Sequence, residues 1–278
     1  MRGLRQVLAC LSITLLPGHA AAHDIWLAAD RYRVAVAESL VVRELQGDLL
    51  LPERELALDP KLTTRFVLVT RRGETDLLGG GREIGSAATR LPVLRRSLHV
   101  AGAAVVAMEH DFILDHHASS TFLEYLEHEE LPRPGDPAVL ERDVHRELYA
   151  RAMKCLVGAG DVGDAAVHTR PLGQTIEIVP LRSPADLEPG DRLRVSVLLR
   201  GKPVAGQLVK AMHRTAAGEL TVTRGHTDSA GQASLSLDRA GVWLLRLVHL
   251  RPCTETDGTP CPLADWESYW ASLSFSID

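Results

Sequence analysis

The sequence is poor in aromatic residues (4%), has only four cysteines, and carries no cluster of basic side chains. Beyond residue 22 it also lacks any apolar run of the roughly 18 residues that a membrane helix needs. Each shortage excludes something. Without a basic patch, nucleic acid is not an expected partner. Without a second long apolar run, no membrane span is expected after the leader. No GxSxG or HExxH motif occurs, and Gly79-Gly80-Gly81 lacks the following Lys of a phosphate loop. No catalytic residue is assigned, and the chain is not expected to be an enzyme.

What is present begins at the N-terminus. Arg2 and Arg5 precede an apolar run from Val7 to Leu16, Pro17 and Gly18 break it, and Ala20 and Ala22 fit a signal-peptidase site. Residues 1–22 therefore read as a signal peptide, and the mature protein is expected in the periplasm. The formal charge of −5 becomes −7 once Arg2 and Arg5 leave, a sign that suits a cation. Cleavage after Ala22 makes His23 the first mature residue. Its α-amine and imidazole Nδ1 can then close on one transition-metal ion as a chelate.

Residues 23–118 read as an N-terminal β region, with short apolar and β-branched runs at 25–27, 32–36, 39–45, 65–70 and 99–108. Residues 119–172 read as a helical connector. Ser119, Ser120 and Thr121 offer caps, Glu124 completes a capping box, and Phe122, Tyr125 and Leu126 form the stripe. Asp136-Pro137 opens a second helix along which Leu140, Val144, Leu148, Ala152 and Cys155 recur. From residue 173 to 278 about seven runs at sandwich spacing give a C-terminal β-sandwich of immunoglobulin-like or transthyretin-like strand count. The fold class is mainly β, two sandwich-like regions joined by a short helical segment.

Among the twelve histidines, the densest cluster runs from His110 to His116-His117, with His110 the favoured ligand because it follows a strand. His249 ends the alternating face Trp243, Leu245, Leu247, His249, and a buried imidazole there needs a partner. Glu267, after the cysteine loop, can return a carboxylate near it. Cys253 and Cys261 flank a loop rich in Pro, Thr and Gly, and an exported protein favours a disulfide between them over a zinc site with His249. Cys155 reads as a buried small hydrophobe.

Several blocks together resemble a known family: AHDIWL at 22–27, LRGKPVAGQLV at 199–209, TDSAG at 227–231, AGVWLLRLVH at 240–249 and DWESYWASL at 265–273. The chain is similar to the DUF4198 family, described as related to periplasmic nickel-uptake components of the NikM kind. The resemblance puts His23 and His249 at recurrent positions and implies uptake or delivery of nickel, cobalt or copper, with a membrane transporter component as partner. His23 and His249 are expected on one ion, with His110 and Glu267 as further ligands. The rival reading is a non-metal adhesion or partner-binding module.

Overall fold

The computed structural model describes residues 23–78, 91–134, 139, 141–163, 165–253 and 263–278. The signal segment, the 79–81 glycines, Asp136-Pro137 and Cys261 lie outside them.

The strands of the N-terminal half are β1 (Asp24–Ala29), β2 (Arg33–Val34), β3 (Ser39–Asp48), β4 (Leu51–Leu56), β5 (Thr63–Thr70), β6 (Gly73–Asp76), β7 (Leu94–Ser97) and β8 (Gly102–Ala118). Helix α1 (Ser119–His128) lies between β8 and β9 (Val144–Ala159). There follow β10 (Ile176–Pro180), β11 (Arg192–Leu199), β12 (Lys202–Pro203), β13 (Leu208–Arg214), β14 (Leu220–His226), β15 (Gln232–Ser236), β16 (Gly241–Pro252) and β17 (Trp266–Ile277). The protein is mainly β, as its short runs of β-branched and apolar residues predict.

These strands form three sheets. The largest has nine strands in the order β14-β13-β16-β17-β9-β8-β5-β6, with β2 also on β9, and so draws on both halves of the chain. Four strands, β1, β3, β4 and β7, make a second sheet, and β10, β11, β12 and β15 a third. The large sheet is apolar on both faces because alternate residues serve different neighbours. Trp243, Leu245 and Leu247 of β16 and Tyr269, Ala271 and Leu273 of β17 pack with Ile178, Val195 and Leu235 of the third sheet. On the other face Met108, Met153 and Cys155 pack with Leu27, Leu40 and Val42 of the second.

From Val144 onward the expected second helix is instead strand β9. It lies between β8 and β17, antiparallel to the first and parallel to the second. It is buried on both faces along most of its length. A strand covered on both sides needs apolar residues at odd and even positions, so the period of two disappears. The four-residue recurrence of Val144, Leu148 and Ala152 is then a coincidence of that filling. Gly158 on β9 leaves room for Val162: a Cβ there would lie 2.7 Å from Val162 Cγ2.

Helix α1 does bury Phe122, Tyr125 and Leu126, but Ala118 holds its cap position and no side chain caps the first turn. The expected capping box at Thr121 is therefore a correction, since Thr121 lies inside the helix. Strands β4 and β7 were not expected. Both are charged and largely exposed, so neither shows an apolar signal. Cys155 is fully buried and free, and burial pushes its thiol up to about 12. Cys253 is not a free thiol. Its expected partner Cys261 is outside the described residues, so that bridge stays an expectation.

One ion pair ties the large sheet to the third. Lys154 Nζ meets Glu177 Oε1 at 3.0 Å, with both side chains buried, and Glu177 also accepts from the backbone N–H of Leu172 and Gly173. Removing one member of such a pair leaves a buried charge unbalanced. Lys154→Met is expected to lower stability by about 3 kcal/mol in urea unfolding, and Lys154→Met/Glu177→Gln to recover part of it. A loss below about 0.5 kcal/mol for the single variant would show that the backbone donors alone hold Glu177.

Candidate metal centre and the charges behind it

His23 stands just before β1, and the second sheet decides what it meets. In the β1–β3 register Asp24 faces Gly47, which sets His23 beside the end of β3. There the chain reverses in a two-residue loop, Leu49-Leu50, between Asp48 and Leu51. Both leucines have positive φ, 51° and 59°, the left-handed pair that a tight primed hairpin turn requires and that Asn and Gly ordinarily supply. Arg214 steadies the loop by donating from Nε and Nη2 to Leu49 O at 3.1 and 2.8 Å. Gly47 lies at a shift in the β3–β4 register, and a Cβ on it would stand 2.0 Å from Leu51 O.

This hairpin brings two carboxylates to the histidine. His23 Nδ1 lies 3.3 Å from Asp48 Oδ2 and 3.8 Å from Glu53 Oε2, and one ligand atom from each residue falls within 4.8 Å of the others. Metal–nitrogen and metal–oxygen bonds of about 2.0–2.2 Å put neighbouring ligands roughly 3 Å apart, so small adjustments bring all three onto one ion. The Nδ1 atom is itself buried and makes no hydrogen bond, which fits a donor awaiting a partner. An imidazole with two carboxylates suits borderline divalent ions.

The other expected ligands go elsewhere. His249 shares its face of β16 with Trp243, Leu245 and Leu247, as its alternation implies. Its Nδ1 lies 2.9 Å from Gln207 Oε1, and its ring stands 6.4 Å from that of Tyr269. That is the structural hydrogen bond a half-buried imidazole needs. Asp24, next to His23, reaches Arg246 on the opposite face of β16, so His23 and His249 serve different sides of the large sheet. Glu267 is fully buried, forms an ion pair with Arg251 and accepts a hydrogen bond from Tyr269 OH at 2.9 Å. It lies near His249 but is already engaged. His110, on β8, faces Glu44 of β3, far along the second sheet from the Leu49-Leu50 turn. The structure thus gathers none of these three around His23. It supplies Asp48 and Glu53, which no motif marked. The one available signal was Gly47-Asp48, a turn-forming pair ahead of Glu53-Arg54-Glu55, and it was masked by two leucines at the loop.

Behind His23 lies a layer of buried charge. Arg246 pairs with Asp24 (Nε–Oδ1 2.5 Å) and with Glu129 at the end of α1 (Nη2–Oε2 2.8 Å). Burial pushes the Asp24 carboxyl up to about 6 against the opposing pull of Arg246. Further along, Glu147 of β9 meets His117 Nε2 at 2.9 Å and accepts from Tyr125 OH at 3.2 Å and from Ser268 Oγ. Burial opposes protonation of His117, yet the hydrogen bond and charge of Glu147 prevail and raise its pKa. His145 is fully buried in β9 and stacks on Phe122 at 4.3 Å.

A β-rich protein with a histidine–carboxylate cluster at the edge of a small sheet, set over buried ion pairs, is the class that this fold and site define. The chain belongs to the DUF4198 family, a domain of unknown function whose model matches residues 20–251. No curated protein matches the chain. Among solved structures, the D0-D1 domain of Intimin is similar at 12% identity, covering 90% of this chain and 97% of that one with a TM-score of 0.21. So low a score carries no argument about fold or function.

Two outcomes test this geometry. Gly47→Ala is expected to cost roughly 2 kcal/mol or more, because the new methyl group cannot coexist with Leu51 O. Thermal unfolding reads the loss, and a shift of the His23 imidazole NMR signals should accompany it. The second concerns pH. Burial moves Glu44 from 4.5 up to about 7 and His110 from 6.5 down to about 4. Between 4.5 and 7 the folded state keeps a Glu44 proton that the unfolded chain has lost, so this group makes stability fall as pH rises. Between 4 and 6.5 the unfolded chain holds a His110 proton that the folded state lacks, so this group makes stability rise with pH. The slopes offset. Glu44→Gln removes the first, and its stability relative to the wild type should climb from pH 4.5 to 6.5 by up to about 1.4 kcal/mol per unit. Chemical denaturation at three pH values checks the sign.

Proposed function

We propose that this is a periplasmic protein that binds a transition-metal ion, nickel, cobalt or copper, for uptake or delivery. His23 is its central ligand, with Asp48 and Glu53 completing the protein's share of the site. The observation that carries the reading is the meeting of His23 Nδ1, a buried atom with no hydrogen bond, with two carboxylates from a separate hairpin. The signal-peptide pattern supports it further. Cleavage after Ala22 frees an α-amine on the residue whose imidazole already faces Asp48 and Glu53. The metal is cargo in this reading, and its identity follows supply as much as affinity, since nitrogen sites favour copper over nickel and cobalt in general.

Delivery needs a receiver, and the proposed one is a membrane transporter component. Among the described residues no helix is long and apolar enough to cross a membrane, which supports a separate membrane partner without addressing strands. The exposed flank of the site, where Glu53 is about half accessible, gives such a partner access to the ion.

The test is titration of nickel(II), cobalt(II) and copper(II) into mature protein beginning at His23, produced by a protease that leaves no extra residue. His23→Ala, Asp48→Asn and Glu53→Gln should each weaken binding at least tenfold, about 1.4 kcal/mol. His249→Ala should leave it unchanged. Failure of the wild type to bind any of the three ions, or full retention of affinity by His23→Ala, would overturn the reading.

A further inference from the structure

A cavity of about 200 Å³ lies between the second sheet and the large sheet, apart from the His23 cluster. Its floor is polar. Glu44 of β3, His110 of β8 and Arg151 of β9 line it, and all three are at least nine-tenths buried. His110 and Arg151 are cross-strand partners. Glu44 Oε1 and His110 Nε2 approach to 3.4 Å, yet both atoms are buried without a hydrogen bond. Buried polar atoms in native proteins are ordinarily paired.

Arg151 is more unusual. Its guanidinium carbon lies 5.3 Å from the Tyr149 ring centroid and 4.6 Å from that of Trp270, so aromatic rings hold the group in place. Among the described residues it forms no ion pair or hydrogen bond. The neighbouring carboxylate of Asp24 is committed to Arg246. A buried, oriented and unpaired guanidinium is costly in an apolar surrounding, and its planar fork matches a carboxylate in two hydrogen bonds.

The three floor groups can all act as donors at once. Arginine always donates. His110 is held neutral by burial and can carry its proton on Nε2, and burial keeps Glu44 protonated up to about pH 7. One acceptor anion would satisfy every orphaned group. The walls, Ile25, Leu56 and Ile113, are apolar, while Asp59 and Asp111 stand exposed at the mouth. Carboxylates at the entrance oppose multiply charged anions such as phosphate or nucleotides. A divalent cation fits poorly, because it would sit beside Arg151, and among the described residues the three-ligand cluster is that of His23, Asp48 and Glu53.

We propose that this cavity binds a small aliphatic monocarboxylate, its head group on Arg151, His110 and Glu44 and its alkyl chain against Ile25, Leu56 and Ile113. The site is independent of the His23 cluster. The groups that face Glu44 are Arg151 from β9, His110 from β8, Tyr149 from β9, and Asp59 and Asp111 from the loop after β4 and the bulge in β8. Burial raises the Glu44 carboxyl to about 7, so binding should follow its protonation.

The experiment is calorimetric titration of the mature full-length protein with butyrate and hexanoate, against inorganic phosphate, butylamine and nickel(II), at pH 6 and pH 8. Butyrate and hexanoate should bind at pH 6 and weaken at pH 8 by up to tenfold. Arg151→Met should lose at least tenfold, and Ile113→Trp, whose fold is checked by circular dichroism, should block the cavity from the apolar side. Glu44→Gln keeps a donor, so it should still bind butyrate while the difference between pH 6 and pH 8 disappears, which a purely structural role for Glu44 would not produce. His23→Ala should bind butyrate as the wild type does. The proposal is overturned if neither carboxylate binds at millimolar concentration, if phosphate or butylamine binds as well as they do, if Glu44→Gln keeps the pH difference, or if nickel(II) binding is lost in Glu44→Gln but kept in His23→Ala.

Discussion

The contact on which the arrangement of the N-terminal half depends is the buried triad of Asp24, Arg246 and Glu129. One guanidinium on the large sheet holds the first residue of β1 and the residue that follows α1. The three groups come from parts of the chain more than a hundred residues apart, and all three are buried. Taking a single partner out of such a set leaves a charge stranded in an apolar interface, which is far worse than replacing the whole set. The triad therefore acts as a register pin. It sets where β1 lies across β16, and with it the position of His23 above the Leu49-Leu50 turn.

A second consequence is economy of place. One face of the large sheet carries the triad and the Glu44–His110–Arg151 floor against the small sheet, and the Glu147 group with His117 and Tyr125 beneath α1. Apolar residues fill the rest of both interfaces, so the polar groups are confined to one side of β9 at its N-terminal half, while the side toward the third sheet carries the Lys154–Glu177 pair. Low effective dielectric strengthens every satisfied contact there and penalises every unsatisfied one. The two orphaned atoms on Glu44 and His110, beside an Arg151 that has no ion pair among the described residues, contrast with the paired triad and the Glu147 group.

Much of the fold could be read from the residues. The clean alternation of Leu193, Val195 and Val197 marked β11, the run through Trp243, Leu245 and Leu247 marked β16 with its correct face, and Phe122, Tyr125 and Leu126 marked α1. The failures have a common cause. β9 is apolar on both sides, so it offered no period of two, and β4 is polar on both, so it offered no apolar period at all. The site was legible only in part. His23 was visible because a cleavage pattern ends at it. Asp48 and Glu53 were not, because two leucines occupy a loop where glycine or asparagine would have announced a hairpin. The buried charges were hidden for a different reason: Asp24, Glu44, Arg151 and Arg246 each look like ordinary surface residues until long-range pairing covers them.

The placement of β17 bears on how such a chain can be made. It is hydrogen-bonded to β16 on one edge and, in parallel, to β9 on the other. Without it, the strands β14-β13-β16 and β9-β8-β5-β6 share no hydrogen-bonded seam. Parallel contacts across more than a hundred residues close slowly, since the loop entropy is lost before the contacts form. A chain threaded outward from its N-terminus would therefore carry two open sheet edges until β17 emerged, and exposed edges of that kind invite pairing with other chains. The twelve residues of β17 close both seams at once, and a chaperone that shields strand edges would be most useful just before they arrive.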